Sequence, residues 1–137
     1  MMLKQFFSRL KGEHAVPAVA TRASGSTEFV LSSNGNKLHF RLQVKNMKKF
    51  TQARIHLGDH WKNGPAVAYL FGNTKPGISV TSGIITGQLM AADLIGPLQG
   101  ASISELLEEI KAGRAYVIVY SEFCSSGELR GPIHPQS

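Results

Sequence analysis

The chain has a single cysteine, Cys124, in 137 residues. That excludes an internal disulfide, a zinc cluster built on cysteines and a CxxC redox pair, so packing must hold the fold. A lone thiol in the apolar and hydroxylic stretch around it reads as a small, half-buried packing residue with no chemistry of its own. Long apolar runs are also missing. Ala115 to Tyr120 has only strand length, well short of the ~18 residues of a membrane-spanning helix. The first ten residues, Met1 to Leu10, are basic and apolar, but they lack both a continuous hydrophobic region and a small-residue cleavage site. They are expected to belong to the mature fold. The expected location is then the cytoplasm, or a surface or spore layer entered without a classical signal. There is no Gly-x-Ser-x-Gly elbow, no phosphate-cradling loop ending in Gly-Lys-Ser/Thr and no Cys-His arrangement of familiar spacing. The expectation is a non-enzyme with no catalytic residues and no cofactor.

Acidic residues are few, 9 against 15 Lys and Arg, for a formal charge of +6. The imbalance is uneven: through Lys62 there are 11 basic and 3 acidic residues, and beyond it 4 and 6. A basic half of this kind suits an anionic polymer or an acidic partner, and it equally suits the solvated side of several strands. The densest cluster, Lys45-Asn46-Met47-Lys48-Lys49-Phe50, is predicted to be a solvated turn from which Phe50 returns to the core. Nucleic acid is disfavoured as a partner, because the aromatic-rich pattern of RNA-binding strands is absent.

What the chain does have is alternation. Hydrophobic residues make up 42% and charged residues 18%, the composition of one globular domain, here taken as residues 1–137. Leu38, Phe40, Leu42 and Val44 share one face of an extended segment while His39, Arg41 and Gln43 take the other. Ser26 to Ser32 precedes it across Ser33-Asn34-Gly35-Asn36, an Asn-Gly hairpin signal. Further strands are predicted at Lys4–Leu10, Ala53–Leu57, Ala66–Phe71, Ile78–Leu89, Ala115–Ser121 and Glu128–Ile133, separated by turn-forming clusters such as Lys62-Asn63-Gly64-Pro65. One helix is predicted over 102–112. Ser102 and Glu105 have capping-box spacing, Ile103, Leu106, Leu107 and Ile110 form one apolar stripe, and Lys111 with Gly113 supplies the stop. Its expected role is a plug over an open end or face of the sheet. The fold class is all-β, an antiparallel β-sandwich or barrel with this one short α-helix.

Four blocks in order resemble the CHRD domain, the module named for its occurrence in chordin and also found in many bacterial proteins. Leu10 to Gly25 is similar to the family's opening pattern of Leu-x-Gly, Val-Pro, Thr and Ala-x-Gly. Ala53-Arg54-Ile55-His56-Leu57-Gly58 and Asn63-Gly64-Pro65-Ala66-Val67 resemble its Ala-His-Ile-His-x-Gly and Asn-Gly-Pro-Val-Val elements. Gly113-Arg114-Ala115-Tyr116-Val117 and Gly127-Glu128-Leu129-Arg130-Gly131-Pro132-Ile133 look like Gly-x-x-Tyr-Val and Gly-Glu-Ile-Arg-Gly-Gln-Ile. The resemblance spans roughly residues 6 to 133. It implies a compact β-sandwich or barrel of single-domain, bacterial type, no established enzymatic activity, and a structural or binding role.

Two departures bear on chemistry. Members of the family often carry His-x-His in the middle block and a further histidine after the Tyr-Val strand, a trio suited to a metal, but Arg54 and Tyr120 stand at two of these positions here. Only His56 remains, beside a cation, so no metal ligands are assigned. Arg54, His56, Asp59, His60 and Trp61 are kept as candidate binding residues: His56 with His60 for a metal or small ligand, Trp61 as an aromatic anchor for a partner. Asn63, Gly64, Pro65, Gly127, Glu128, Arg130 and Gly131 are read as structural. Glu128 and Arg130, two apart on a strand, are expected to share a face as an ion pair. The leading functional expectation is a homo-oligomer or a binder of a protein partner. Metal or small-ligand binding at His56 and His60, and binding of an anionic polymer by the basic face, stand as alternatives.

Overall fold

Alternating side chains build a single antiparallel sheet. The structure, a computed structural model, describes residues 4–59 and 62–136. Its strands are β1 (Gln5–Leu10), β2 (Ser24–Leu31), β3 (Leu38–Leu57), β4 (Ala66–Gly72), β5 (Ile78–Leu89), β6 (Ala115–Ser121), β7 (Cys124–Pro132) and β8 (His134–Pro135), with helix α1 (Ile103–Lys111) between β5 and β6. The order is β7-β6-β3-β2-β1-β8, and β4 and β5 add to β3. The sheet closes almost into a barrel. Lys11 and Arg130 exchange backbone hydrogen bonds of 3.1 and 3.0 Å, and the chain's end returns to β1, pairing Pro135 with Phe6 and His134 with Phe7. Among the described residues no helix is long and apolar enough to cross a membrane.

β3 is the hub. Leu38–Lys45 pairs with both β2 and β5, and Gln52–His56 with both β4 and β6. The expected turn at Lys45–Phe50 is not there, because the chain runs straight on as strand. Asn46 and Lys49 take positive φ values of 53° and 55°, which shifts the alternation and lets Met47 and Phe50, three apart, both turn inward. Their burial offsets the strain of two left-handed residues. The expected return of Phe50 to the core does occur.

The interior is lined by Phe6, Leu10, Phe29, Leu38, Leu42, Ile55, Val117, Val119 and Leu129, all fully buried. α1 adds Ile103, Leu106, Leu107 and Ile110 to the same core, its N-terminus capped by Ser102 Oγ, which accepts from Glu105 N at 3.3 Å. β6 differs from the other strands in being buried along its whole length. Ala115, Val117 and Val119 face the interior cluster, while Tyr116, Ile118 and Tyr120 form a second cluster on the outer side.

Candidate functional site

Cross-strand register places the outer-face side chains. Arg54 lies opposite Ile118 and His56 opposite Tyr116, and on the next strand Arg130 lies opposite Ile118 and Pro132 opposite Tyr116. Side chains at alternate positions point the same way, so β3, β6 and β7 deliver Arg54, His56, Tyr116, Tyr120 and Arg130 to one outer surface. They form a row of rings and cations. The Arg54 guanidinium sits 4.4 Å from the centre of the Tyr120 ring, His56 stacks on Tyr116 at 5.7 Å, and the Arg130 guanidinium lies over Tyr116 at 3.7 Å.

His56 occupies the middle and is only 4% exposed. Its Nδ1 is 2.7 Å from the Gly64 carbonyl oxygen and its Nε2 is 2.9 Å from the Tyr120 hydroxyl. A carbonyl can only accept, so Nδ1 carries the proton and Nε2 accepts from Tyr120. Burial, with the positive charges of Arg54 and Arg130, lowers the imidazole pKa to about 4 against the partial support of the Gly64 carbonyl. The same burial raises the pKa of the Tyr120 phenol although Arg54 opposes the shift. Both rings are therefore held neutral near pH 7.

Arg130, 4% exposed, clamps the loop that follows β3. It donates from Nη1 to the Lys62 carbonyl at 3.1 Å and to Asn63 Oδ1 at 2.9 Å, and from Nη2 to the Asp59 carbonyl at 2.6 Å. Asn63 carries the connection further, donating from Nδ2 to the carbonyls of Val16 at 2.8 Å and Ser126 at 3.1 Å. The Gly64 N–H donates to the Tyr116 hydroxyl, and the Pro65 carbonyl accepts from Leu57 N at 3.0 Å. Gly64 must be glycine, since a Cβ there would overlap the Leu57 carbonyl, and a Cβ on Gly131 would likewise overlap the Arg9 carbonyl where the barrel closes.

Glu128 does not pair with Arg130. Its Oε2 accepts from Thr21 Oγ at 2.6 Å and its Oε1 from Ser121 Oγ at 2.7 Å. The expected ion pair fails because each group already has neutral partners on its own side: hydroxyls for the carboxylate, loop carbonyls for the guanidinium. Gly127, next to it, has a φ of 111°. Thr21, Tyr116 and Ser121 are the contributors that sequence reasoning missed; for Tyr116 the signal was available in the unbroken apolar run of β6, which marks a strand covered on both faces.

The structure brings together Arg54, His56, Asn63, Gly64 and Arg130. Asp59 is exposed and offers its backbone carbonyl to that group. His60 and Trp61 lie outside the described residues. Among the described residues no three His, Cys, Asp or Glu side chains group as metal ligands. Next to the row, Glu13, His14, Val16, Gly58, Tyr116 and Arg130 border a groove of about 420 Å³. Arg9, Lys11, Ser24, Ser26, Gln43 and Lys45 border another, basic one of about 330 Å³.

Arg54, His56 and Tyr120, at the positions where members of the family often carry histidines, do meet in space, but as a cation, a neutral imidazole and a phenol. No curated protein matches the chain. Residues 6–133 match the CHRD domain, nearly the whole length, and so take in every residue of the row and of the loop clamped beneath it: the protein belongs to the CHRD domain family.

Proposed function

We propose that this CHRD domain acts as a non-enzymatic structural or binding module that associates with copies of itself or with a protein partner. The observation that carries this reading is where the polar chemistry goes. His56, Asn63, Glu128 and Arg130 bond to other parts of the same chain, tying Asp59, Lys62, Asn63 and Gly64 and the segment around Val16 and Thr21 to the barrel. Such groups stabilise a scaffold: His56, Glu128 and Arg130 are buried and Asn63, though exposed, has its side chain committed to the same chain, so their polar atoms are already used within the fold. Large apolar side chains, by contrast, remain at the surface: Val30, Tyr69, Ile78, Ile84, Met90 and Phe123.

The test is mass against concentration. Light scattering over a series from micromolar to millimolar protein should show a rise above the monomer mass. A monomer throughout would remove self-association.

A second reading is favoured by the basic groove, where Arg9, Lys11 and Lys45 stand beside Ser24, Ser26 and Gln43. That set suits the oxygens of an anionic polymer. Retention on heparin should then fall steeply with salt, and retention indifferent to salt would count against it.

A further inference from the structure

β5 is a long, unprotected edge of this sheet. It is twelve residues long and pairs with β3 alone. β4, the other strand that branches from β3, is protected: Ile95 N donates to the Val67 carbonyl at 2.8 Å, and Gly96 presses against the Ala66 carbonyl. No comparable backbone hydrogen bond covers β5 among the described residues. Alternate N–H and C=O groups along an edge strand point away from its one neighbour, ready to pair with another strand.

Its composition makes the exposure unusual. Ile78–Leu89 reads Ile-Ser-Val-Thr-Ser-Gly-Ile-Ile-Thr-Gly-Gln-Leu, with no Lys, Arg, Asp, Glu or Pro. Edge strands are ordinarily blunted by those residues. The section Ser82–Leu89 keeps an unbroken register with β3, so the open edge is also straight. On its outer side stand Ser82, Ile84, Thr86 and Gln88, opposite Lys45, Gln43, Arg41 and His39, and Ile84 is 53% exposed.

We propose that β5 is the self-association edge, pairing antiparallel with β5 of a second copy about a two-fold axis through Ile84. This deepens the module reading above and rests on it. The strand complements itself. An axis at Ile84 puts Ile84 against its own copy and Ser82 against Thr86, an apolar pair flanked by hydroxyl pairs, and keeps the outer faces of both sheets on one side. A strand with a charge at its centre would repel its copy; this one has none. The nearest like charges are Arg41 and Lys45 on β3. In the paired sheet three strand spacings separate the two β3 strands, roughly 14 Å, beyond the Debye length of about 8 Å at physiological salt. Pairing is thus disfavoured by charge only at low salt, and dimer formation strengthens as salt is added.

The experiment follows mass by light scattering and sedimentation for wild type and for Ile84→Lys/Thr86→Lys, which places charges on the exposed side of the edge. The expected result is a wild-type dimer, with an association constant at least tenfold weaker in the double variant. Circular dichroism at dilute concentration checks that the variant is folded. A wild type that is monomeric throughout overturns both this inference and self-association. A dimer untouched by the two lysines overturns the edge alone and leaves self-association standing. Independently of any folding effect of the lysines, Ile84→Cys on a Cys124→Ser background should cross-link to a covalent dimer with a short bismaleimide. A dimeric protein that fails to cross-link there overturns the proposed axis.

Discussion

The Tyr120 hydroxyl donates a hydrogen bond to Nε2 of His56 at 2.9 Å, because the other ring nitrogen is committed to the Gly64 carbonyl at 2.7 Å. Every valence of the ring is filled only when the imidazole is neutral. A second proton on Nε2 would face a hydroxyl that must turn away, between two guanidinium groups.

Stability should therefore depend on pH through His56. An unfolded histidine takes its proton near pH 6.5, and the folded one not until about 4. Below 6.5 the unfolded state binds more protons, so stability is intact above that value and falls as pH drops from 6.5 to about 4. The whole loss is roughly 2–3 kcal/mol once residual solvent screening is allowed for. Urea unfolding at pH 7.5 and 4.5 measures it, with His56→Asn as the comparison. Equal pH dependence in both proteins would contradict this assignment.

Zinc should leave the melting temperature of the wild type unchanged while raising that of an Arg54→His/Tyr120→His variant. Nε2 of His56 already carries a lone pair fixed by a carbonyl behind the ring, the arrangement a metal-bound histidine needs. What the wild type lacks is company: the nearest side chains at 54 and 120 are a cation and a phenol. Three imidazoles in their place supply a zinc site, and metal at a hundredfold excess over its dissociation constant adds about 2.7 kcal/mol. A wild-type shift with zinc that disappears in His56→Asn would show that His56 binds metal as it stands.

How much of this was legible differs by element. The helix was, since Ser102, the stripe at Ile103, Leu106, Leu107 and Ile110, and Gly113 are local signals that agree with one another. So were the strands, most through period-2 alternation and β6 through its unbroken apolar run. Lys45–Phe50 was misread because its three lysines suggest a solvated turn, whereas Met47 and Phe50 decide its path by burial, and the two left-handed residues that allow this leave no clear mark in sequence. The site was half legible. Arg54, His56 and Arg130 could be named from the family pattern, but two of the three partners of Arg130 are backbone carbonyls of a loop, to which sequence is blind, and of the partners of Glu128, Ser121 sits across a hairpin and Thr21 far away along the chain.

Ser8 and Thr27 face each other across β1 and β2, fully buried, and neither hydroxyl has a hydrogen-bond partner among the described residues. An unpaired buried hydroxyl costs stability, and replacing both by apolar groups of similar shape removes the cost from each. Ser8→Ala/Thr27→Val is expected to be stabilising by about 1 kcal/mol. Thermal unfolding checks the sign, and a loss of stability would mean the hydroxyls are satisfied in solution.

Arg130 should tolerate no replacement, including lysine. The guanidinium reaches the Asp59 and Lys62 carbonyls and Asn63 Oδ1 while lying over the Tyr116 ring at 3.7 Å. A planar fork with two donating ends fits that geometry, and a single ammonium cannot both stack and bridge the loop. Arg130→Ala removes three charge-assisted hydrogen bonds and the stacking on Tyr116, and is expected to cost roughly 3 kcal/mol. Arg130→Lys should recover less than half of that. Both changes should also speed proteolysis within residues 58–65, because the loop is tied to the barrel through this side chain and Asn63. Urea unfolding gives the first effect and limited proteolysis with mass mapping the second. Wild-type stability in Arg130→Lys would mean that charge alone, and not the fork, holds the loop.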